Sequence, residues 1–250
     1  MLTWWLSRAE VQLPPGTSWL SAAEHSRAAG LRYTKRRTDF LLSRWTLKLA
    51  VTRVLNWPDD EAALARIEGR PAADGAPELY VDEQLSEHGI SLTDRAGCAA
   101  CLVADERAAI GCDLELVEAR SAAFVRDYLT GPERDLVSAA GPARDVAANV
   151  VWSAKESALK VLRTGLRRDT RSVEVTVDNL TPPEHAWSPL RVRVAEDVVL
   201  GGWWRRSGSF VLTVCGPGGP GDFPAPVGLD AVSPLDGAAP AHHWLRKPLA

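Results

Sequence analysis

A helical periodicity organises residues 142–164. Val146, Val150, Ala154, Ala158 and Leu162 recur every four residues, with Ala147, Val151 and Leu159 beside them. Such a stripe predicts an amphipathic helix with one face on a core. Ser153, Glu156, Lys160 and Arg163 fall on the other side, and Gly165 stands where a left-handed C-terminal residue is expected. Two plain readings of the polar face come first. Glu156 and Lys160 form an i, i+4 pair of favourable polarity, worth about 0.2–0.5 kcal/mol on an exposed helix. Ser153 and Glu156 match a capping box, although the hydrophobic staple that goes with it would pair Trp152 with Ser157, which is not apolar.

Around this helix the pattern predicts further elements. Residues 1–13 form a first strand, ended by Pro14 and Pro15. Ser21-Ala-Ala-Glu24 is a helix-start signature, and the pattern stays helical to Leu55, with Leu41, Trp45, Leu49 and Val51 on its apolar face. Asn56-Trp-Pro-Asp-Asp60 breaks it, and 59–66 is a short helix. Residues 68–89 carry Gly, Pro and Asp punctuation and read mostly as loop, of a length that is often functional in a compact domain. Gly97–Ala104 and Ala108–Leu116 are two β-type runs, which Asp105-Glu106-Arg107 would join as a hairpin. Residues 121–138 read as helix, broken and restarted at Thr130-Gly-Pro-Glu133. Ser172–Asp178, Arg191–Val199 and Ser209–Cys215 complete a sheet. Residues 217–250 are rich in Gly and Pro, and the expectation there is a tail that is flexible or draped over the body.

The 250 residues are enough to bury a real core, as one large domain or two small ones. Net charge is −3, so no bulk attraction to nucleic acid or to an anionic membrane is implied. No apolar run is long enough for a membrane span, and the N-terminus lacks the pattern of a signal peptide. Cys98 and Cys101 form C-x-x-C inside an apolar run, with no second pair or histidine cluster to complete a zinc site. All four cysteines, with Cys112 and Cys215, therefore read as free core thiols, and a reducing, cytoplasmic compartment follows. His242 and His243 read as solvated. The chain has five lysines against twenty-four arginines, yet Lys155 and Lys160 stand close together. A lysine offers a compact point charge where arginine offers a planar fork, which suits a small cation beside a phosphate.

Asp113 and Glu115 are two apart in Ile110-Gly-Cys-Asp-Leu-Glu115, so on a strand they point to the same side. Two like charges that close repel unless something positive lies between them, and a divalent cation is the usual answer. This G-x-D-x-E strand precedes Trp152-Ser-Ala-Lys-Glu-Ser-Ala-Leu-Lys160. In that order and spacing the two motifs resemble those of the 4′-phosphopantetheinyl transferases, of the monomeric type that activates surfactin synthetase. Leu20–Glu24, Phe40–Arg44, Glu68-Gly-Arg-Pro71, Ile90–Thr93 and Leu129–Glu133 extend the resemblance over residues 18–216.

The resemblance implies an α+β fold, a pseudo-dimer of two similar halves with the active site between them. Residues 1–107 would be an N-terminal half that contacts coenzyme A, 108–216 a C-terminal half with the metal site and catalytic helix, and 217–250 the tail. No internal repeat is evident in the sequence. The implied activity transfers the 4′-phosphopantetheine group of coenzyme A to a serine of an apo acyl, peptidyl or aryl carrier protein. The serine attacks the β-phosphate and 3′,5′-ADP leaves. The implied ligands of Mg²⁺ are Asp113, Glu115 and Glu156. Lys160 would stabilise the leaving phosphate and Lys155 would contact the pyrophosphate. Glu133 would take the serine proton, with a metal-bound water as the competing base. Arg27, Arg70 and Thr93 align with residues that hold the phosphates of coenzyme A. The pattern departs at Asp94, where the family commonly has histidine. There either Arg95 takes over the phosphate contact, or Asp94 orients Arg70 or Arg27. The other readings are a coenzyme A-binding regulator or scaffold that has lost transfer, and a structural protein whose acids merely bind a cation.

Overall fold

The computed structural model describes residues 1–195, 198–219 and 221–241; His242 and His243 lie outside the described residues. The chain forms two compact units, one of residues 2–107 with the described residues from 226 on, the other essentially residues 108–225. Both mix helix and sheet, so the fold class is α+β.

The N-terminal unit holds β1 (Thr3–Ala9), α1 (Ala22–Gly30), α2 (Thr34–Val54), α3 (Glu61–Ala65), β2 (Ile67–Pro71), β3 (Pro77–Val81), β4 (Gln84–Leu85), β5 (Gly89–Arg95) and β6 (Cys98–Ala104). The C-terminal unit holds β7 (Gly111–Leu116), α4 (Ala122–Tyr128), α5 (Gly131–Ala139), α6 (Arg144–Val161), β8 (Glu174–Val177), β9 (Ser188–Ala195), β10 (Val198–Ser207) and β11 (Phe210–Gly216). A last strand, β12 (Val227–Gly228), returns to the N-terminal unit and pairs with β1. The sheets run β12-β1-β6-β5, β2-β3-β4 and β7-β11-β10-β9-β8.

Several expectations change. The helical stretch 21–55 is two helices, parted at residues 31–33. Residues 68–89 are not mostly loop. They form a meander in which each run of turn residues separates two short strands, and Ile67 and Leu79 enter the core from it. The hairpin expected between 97–104 and 108–116 does not form. β6 pairs with β1 and β5, and β7 pairs with β11. The true turn is Ala96-Gly97, where both residues have positive φ, of 50° and 79°, the backbone that a tight hairpin needs. Asp105 and Glu106 instead extend the N-terminal ladder, Asp105 bonding Leu2 and Glu106 accepting from the Gly89 amide. The run 191–199 divides into β9 and the start of β10. After α6 the left-handed residue is Arg163, with φ 55°, ahead of Gly165 at 51°. The expected tail is packed in its described part. Phe223 and Leu235 are buried, and the Phe223 carbonyl accepts the Trp203 indole N–H at 2.8 Å. Apolar contacts made from within a Gly/Pro-rich stretch outweigh its composition there.

Each unit turns on one buried lysine. In the C-terminal unit, Thr130 and Glu133 form a capping box at the start of α5. Lys155 on α6 is fully buried, and its ammonium donates to Glu133 Oε2 at 2.8 Å, Thr170 O at 2.9 Å and Val173 O at 2.6 Å. In the N-terminal unit, Ser21 and Glu24 form the box at the start of α1. Lys48 on α2 is fully buried and donates to Glu24 Oε2 at 2.8 Å, to Leu64 O at 2.9 Å and to Ile67 O. All three donors of each ammonium are used. Trp45-Thr-Leu-Lys48 and Trp152-Ser-Ala-Lys155 carry the repeat in sequence, 107 residues apart. Strand, capped helix, long helix and closing antiparallel strands follow in the same order in both units. The two units thus share one order of elements and one buried-lysine device.

Removing one member of a fully buried pair leaves a charge without compensation, at a cost of about 3–5 kcal/mol. Lys155→Met is expected to lower unfolding free energy by that amount in urea titration. Glu133→Gln/Lys155→Met should lose less than the sum of its single variants; additive losses would show that the two groups are not coupled.

Candidate active site

The acidic strand β7 and helix α6 lie in direct backbone proximity, and Gly111 is the reason. A Cβ at Gly111 would lie 1.9 Å from the Ser157 carbonyl oxygen. Only glycine lets the helix approach there. Ser153 donates to the Asp113 carbonyl at 3.0 Å, and Ser157 bonds the Thr213 hydroxyl at 2.7 Å. These small hydroxyl residues fasten α6 to β7 and β11, so Ser153 is a buried fastener rather than part of a solvated or capping face.

That seating brings Asp113, Glu156 and Lys160 together. Asp113 is buried, and Glu156 and Lys160 are half-buried. Lys160 Nζ donates to Cys112 O at 2.7 Å and to Asp113 Oδ1 at 3.1 Å. Burial alone would lower the Lys160 pKa, but Asp113 and its neighbours raise it above the ordinary value. Glu156 goes the other way. Burial and then Asp113, with a smaller push from Glu115, raise its carboxyl to about 7 against the pull of Lys160. Glu156 Oε1 is buried and has no hydrogen-bond partner.

Glu115 is held differently. Its Oε1 accepts the Trp152 indole N–H at 3.0 Å and its Oε2 accepts Arg120 at 3.0 Å. Arg120 is in turn fixed by Asn149 Oδ1 at 2.7 Å and lies over the Phe124 ring. The sequence reading singles out neither Arg120 nor Asn149; an arginine five residues past Glu115 is the available signal. No group of three His, Cys, Asp or Glu side chains is arranged to hold a metal among the described residues. The three expected ligands are therefore neighbours, not a cage. The unpartnered oxygen of Glu156 beside Asp113 does fit a hard cation, which takes carboxylate oxygens.

Glu133 and Lys155 come together, but with each other. Glu133 is 1% exposed, and its Oε1 accepts the Val175 amide at 2.7 Å while Oε2 accepts Thr130 N and Lys155. The Glu133 oxygens and the Lys155 ammonium are thus engaged inside the unit.

The residues expected at coenzyme A lie in the N-terminal unit. Arg27 is exposed at the end of α1, and its guanidinium and that of Arg44 lie 5.5 and 5.0 Å from the Phe40 ring centre. Arg70 on β2 pairs with Glu68 at 2.5 Å and covers the Tyr80 ring. Thr93 is buried and Arg95 half-buried on β5. Strand alternation sets Asp94 on the opposite face from both, where it accepts from Ser43 on α2 at 3.3 Å.

Residues 109–215 match the family model of the 4′-phosphopantetheinyl transferase superfamily. The match runs from the approach to β7 through α6 into β11, so it contains every residue of the carboxylate–lysine site. No curated protein matches the chain.

Gly111→Ala tests the seating of α6. Overpacking of this kind costs about 1–3 kcal/mol. It is expected to separate Trp152 from Glu115, read as changed tryptophan emission in a chain that still unfolds cooperatively. Unchanged emission and stability would show that the approach is not needed.

Proposed function

We propose that the protein transfers the 4′-phosphopantetheine group of coenzyme A to a serine of an apo acyl, peptidyl or aryl carrier protein, with Mg²⁺, releasing 3′,5′-ADP. The observation that carries this reading is the buried, unpartnered Glu156 oxygen next to Asp113 and Lys160, inside the segment that matches the superfamily. Asp113 and Glu156 would hold the Mg²⁺, with Glu115 kept beside them by Arg120 and Trp152. The ion would supply charge neutralisation at the diphosphate. Lys160 meets the negative charge that builds on the leaving phosphate, in a place where burial strengthens its effect. The serine oxygen forms a bond to the β-phosphorus, the bond from that phosphorus to the bridging oxygen breaks so that 3′,5′-ADP leaves with that oxygen, and the serine proton passes to Glu133 or, as the competing base, to water. Arg27, Arg70, Thr93 and Arg95 are the proposed contacts to coenzyme A. The four buried free thiols support a reducing, cytoplasmic setting, and no described helix is long and apolar enough to cross a membrane. We further propose that the protein acts as a monomer.

Incubation with coenzyme A, Mg²⁺ and an apo carrier protein tests the activity. Carrier mass should rise by one phosphopantetheine, and Asp113→Ala should slow this on the order of a hundredfold, as loss of one electrostatic contact to developing charge does. Coenzyme A binding without a mass change would favour the reading in which transfer is lost.

The lysine is tested apart from the metal. Lys160→Ala should lower kcat more than it weakens coenzyme A binding, and Lys160→Arg should restore part of the rate, because the fork does not sit where the ammonium did. Variants that changed KM alone would remove Lys160 from the leaving-group role.

A further inference from the structure

The repeat lets each position of the candidate site be located in the N-terminal unit. Arg53 follows Lys48 by five residues, as Lys160 follows Lys155. Leu49 follows Lys48 as Glu156 follows Lys155. The strands align through their hairpins. Arg95 pairs with Cys98 and Ser207 with Phe210, and the first residue past each turn faces Ala9 on β1 and Leu116 on β7. Arg8 therefore lies where Glu115 lies, and Leu6 where Asp113 lies. Three carboxylates are replaced by one arginine and two leucines, while the cation of Lys160 is kept as Arg53. The locus has changed sign.

Into it the chain sends a carboxylate. Arg8 Nη1 donates to Asp230 Oδ2 at 2.6 Å, and Arg53 Nη1 donates to Asp230 Oδ1 at 2.6 Å. The Arg8 side chain is 7% exposed, too buried to be left without an anion at low cost. We propose that Arg8 and Arg53 form a carboxylate-recognition site whose ligand is Asp230, so that residues 226–237 are an intramolecular ligand latched onto β1. The contacts on either side of Asp230 fit that role. Val227 and Gly228 pair in parallel with Trp4 and Trp5, and the Leu229 amide donates to the Trp5 carbonyl at 3.0 Å. Ser233 Oγ bonds Ser7 Oγ at 2.7 Å, and Leu235 is fully buried. The latch also covers part of the free edge of β1, the kind of edge that otherwise recruits other chains. Each oxygen of the carboxylate takes one charge-assisted bond, the strong class of hydrogen bond.

Hydrogen exchange of the full chain tests the proposal. Asp230→Ala should speed exchange across residues 227–235 on the order of tenfold or more, the effect of losing a hydrogen bond to a charged group, with α6 amides unchanged as the control for global unfolding. Arg53→Gln, at a half-buried position, should speed the same amides if Asp230→Ala fails to fold. Added acetate should slow exchange again in Asp230→Ala but not in Asp230→Ala/Arg53→Gln. Wild-type exchange in Asp230→Ala, or equal slowing by chloride at matched ionic strength, would overturn the assignment.

Discussion

An ammonium group inside a protein must find an acceptor for each of its three N–H donors, or its burial is prohibitive. Lys48 and Lys155 meet that condition with the same three kinds of acceptor: a capping-box glutamate and two carbonyls at the approach to or start of the next strand. The constraint joins the long helix to the start of the preceding helix and to the turn that launches the sheet. Burial pulls the Lys155 pKa down, and Glu133 opposes the shift. Once α6 is fixed in this way, the contact at Gly111 and the placement of Glu156 and Lys160 over β7 follow from its length and phase.

The same device carries different chemistry in the two units. Glu133 turns its second oxygen to the Val175 amide, whereas the second oxygen of Glu24 lies 3.4 Å from Arg44 Nε. Trp152 spends its indole N–H on Glu115, whereas the Trp45 N–H is buried without a hydrogen-bond partner. Where one unit has Glu115, the other has Arg8, so Trp45 has lost its acceptor while keeping its packing against Trp19. The scaffold terms of the repeat persist, and the terms that touch charge at its open side have diverged.

What was legible in the sequence is what depends on near neighbours. The stripe Val150, Ala154, Ala158, the capping residues Ser21 and Thr130, and the apolar run Cys98–Ala104 are local signals, and each is found as read. The β2–β4 meander was hidden because its strands are as short as the turns between them. The false hairpin at 105–107 arose because strand pairing is set by contacts far along the chain, and a charged tripeptide between two β-type runs looks the same whether or not they pair. The buried pairing of Glu133 with Lys155 was not legible, because a motif names residue types, not the contacts they make. Their burial is fixed by Thr170 and Val173, carbonyls that no side-chain pattern announces.

Asp113 and Glu115 pose a problem that the sequence could state but not solve: two acids on one side of a strand. The protein solves most of it itself. Lys160 is bonded to Asp113 and Arg120 to Glu115, with Glu118 a further partner of Arg120 at 3.9 Å. Glu156 adds a third acid from α6. Around Lys160 and Arg120 the carboxylates outnumber the cations, and Glu156 Oε1 is the buried carboxylate oxygen left without a hydrogen-bond partner on α6. Its carboxyl is accordingly pushed up to about 7, first by burial and then by Asp113. A proton or a cation can make up the difference, and the two differ in consequence. A divalent ion leaves the locus more positive than a proton does, at a partly buried position where Coulomb terms are several times stronger than in water. Added positive charge there would suit the diphosphate of the proposed substrate. Under that proposal Arg120 would matter without touching a substrate: by pairing with Glu115 within the protein, it would leave less negative charge for a divalent ion to offset.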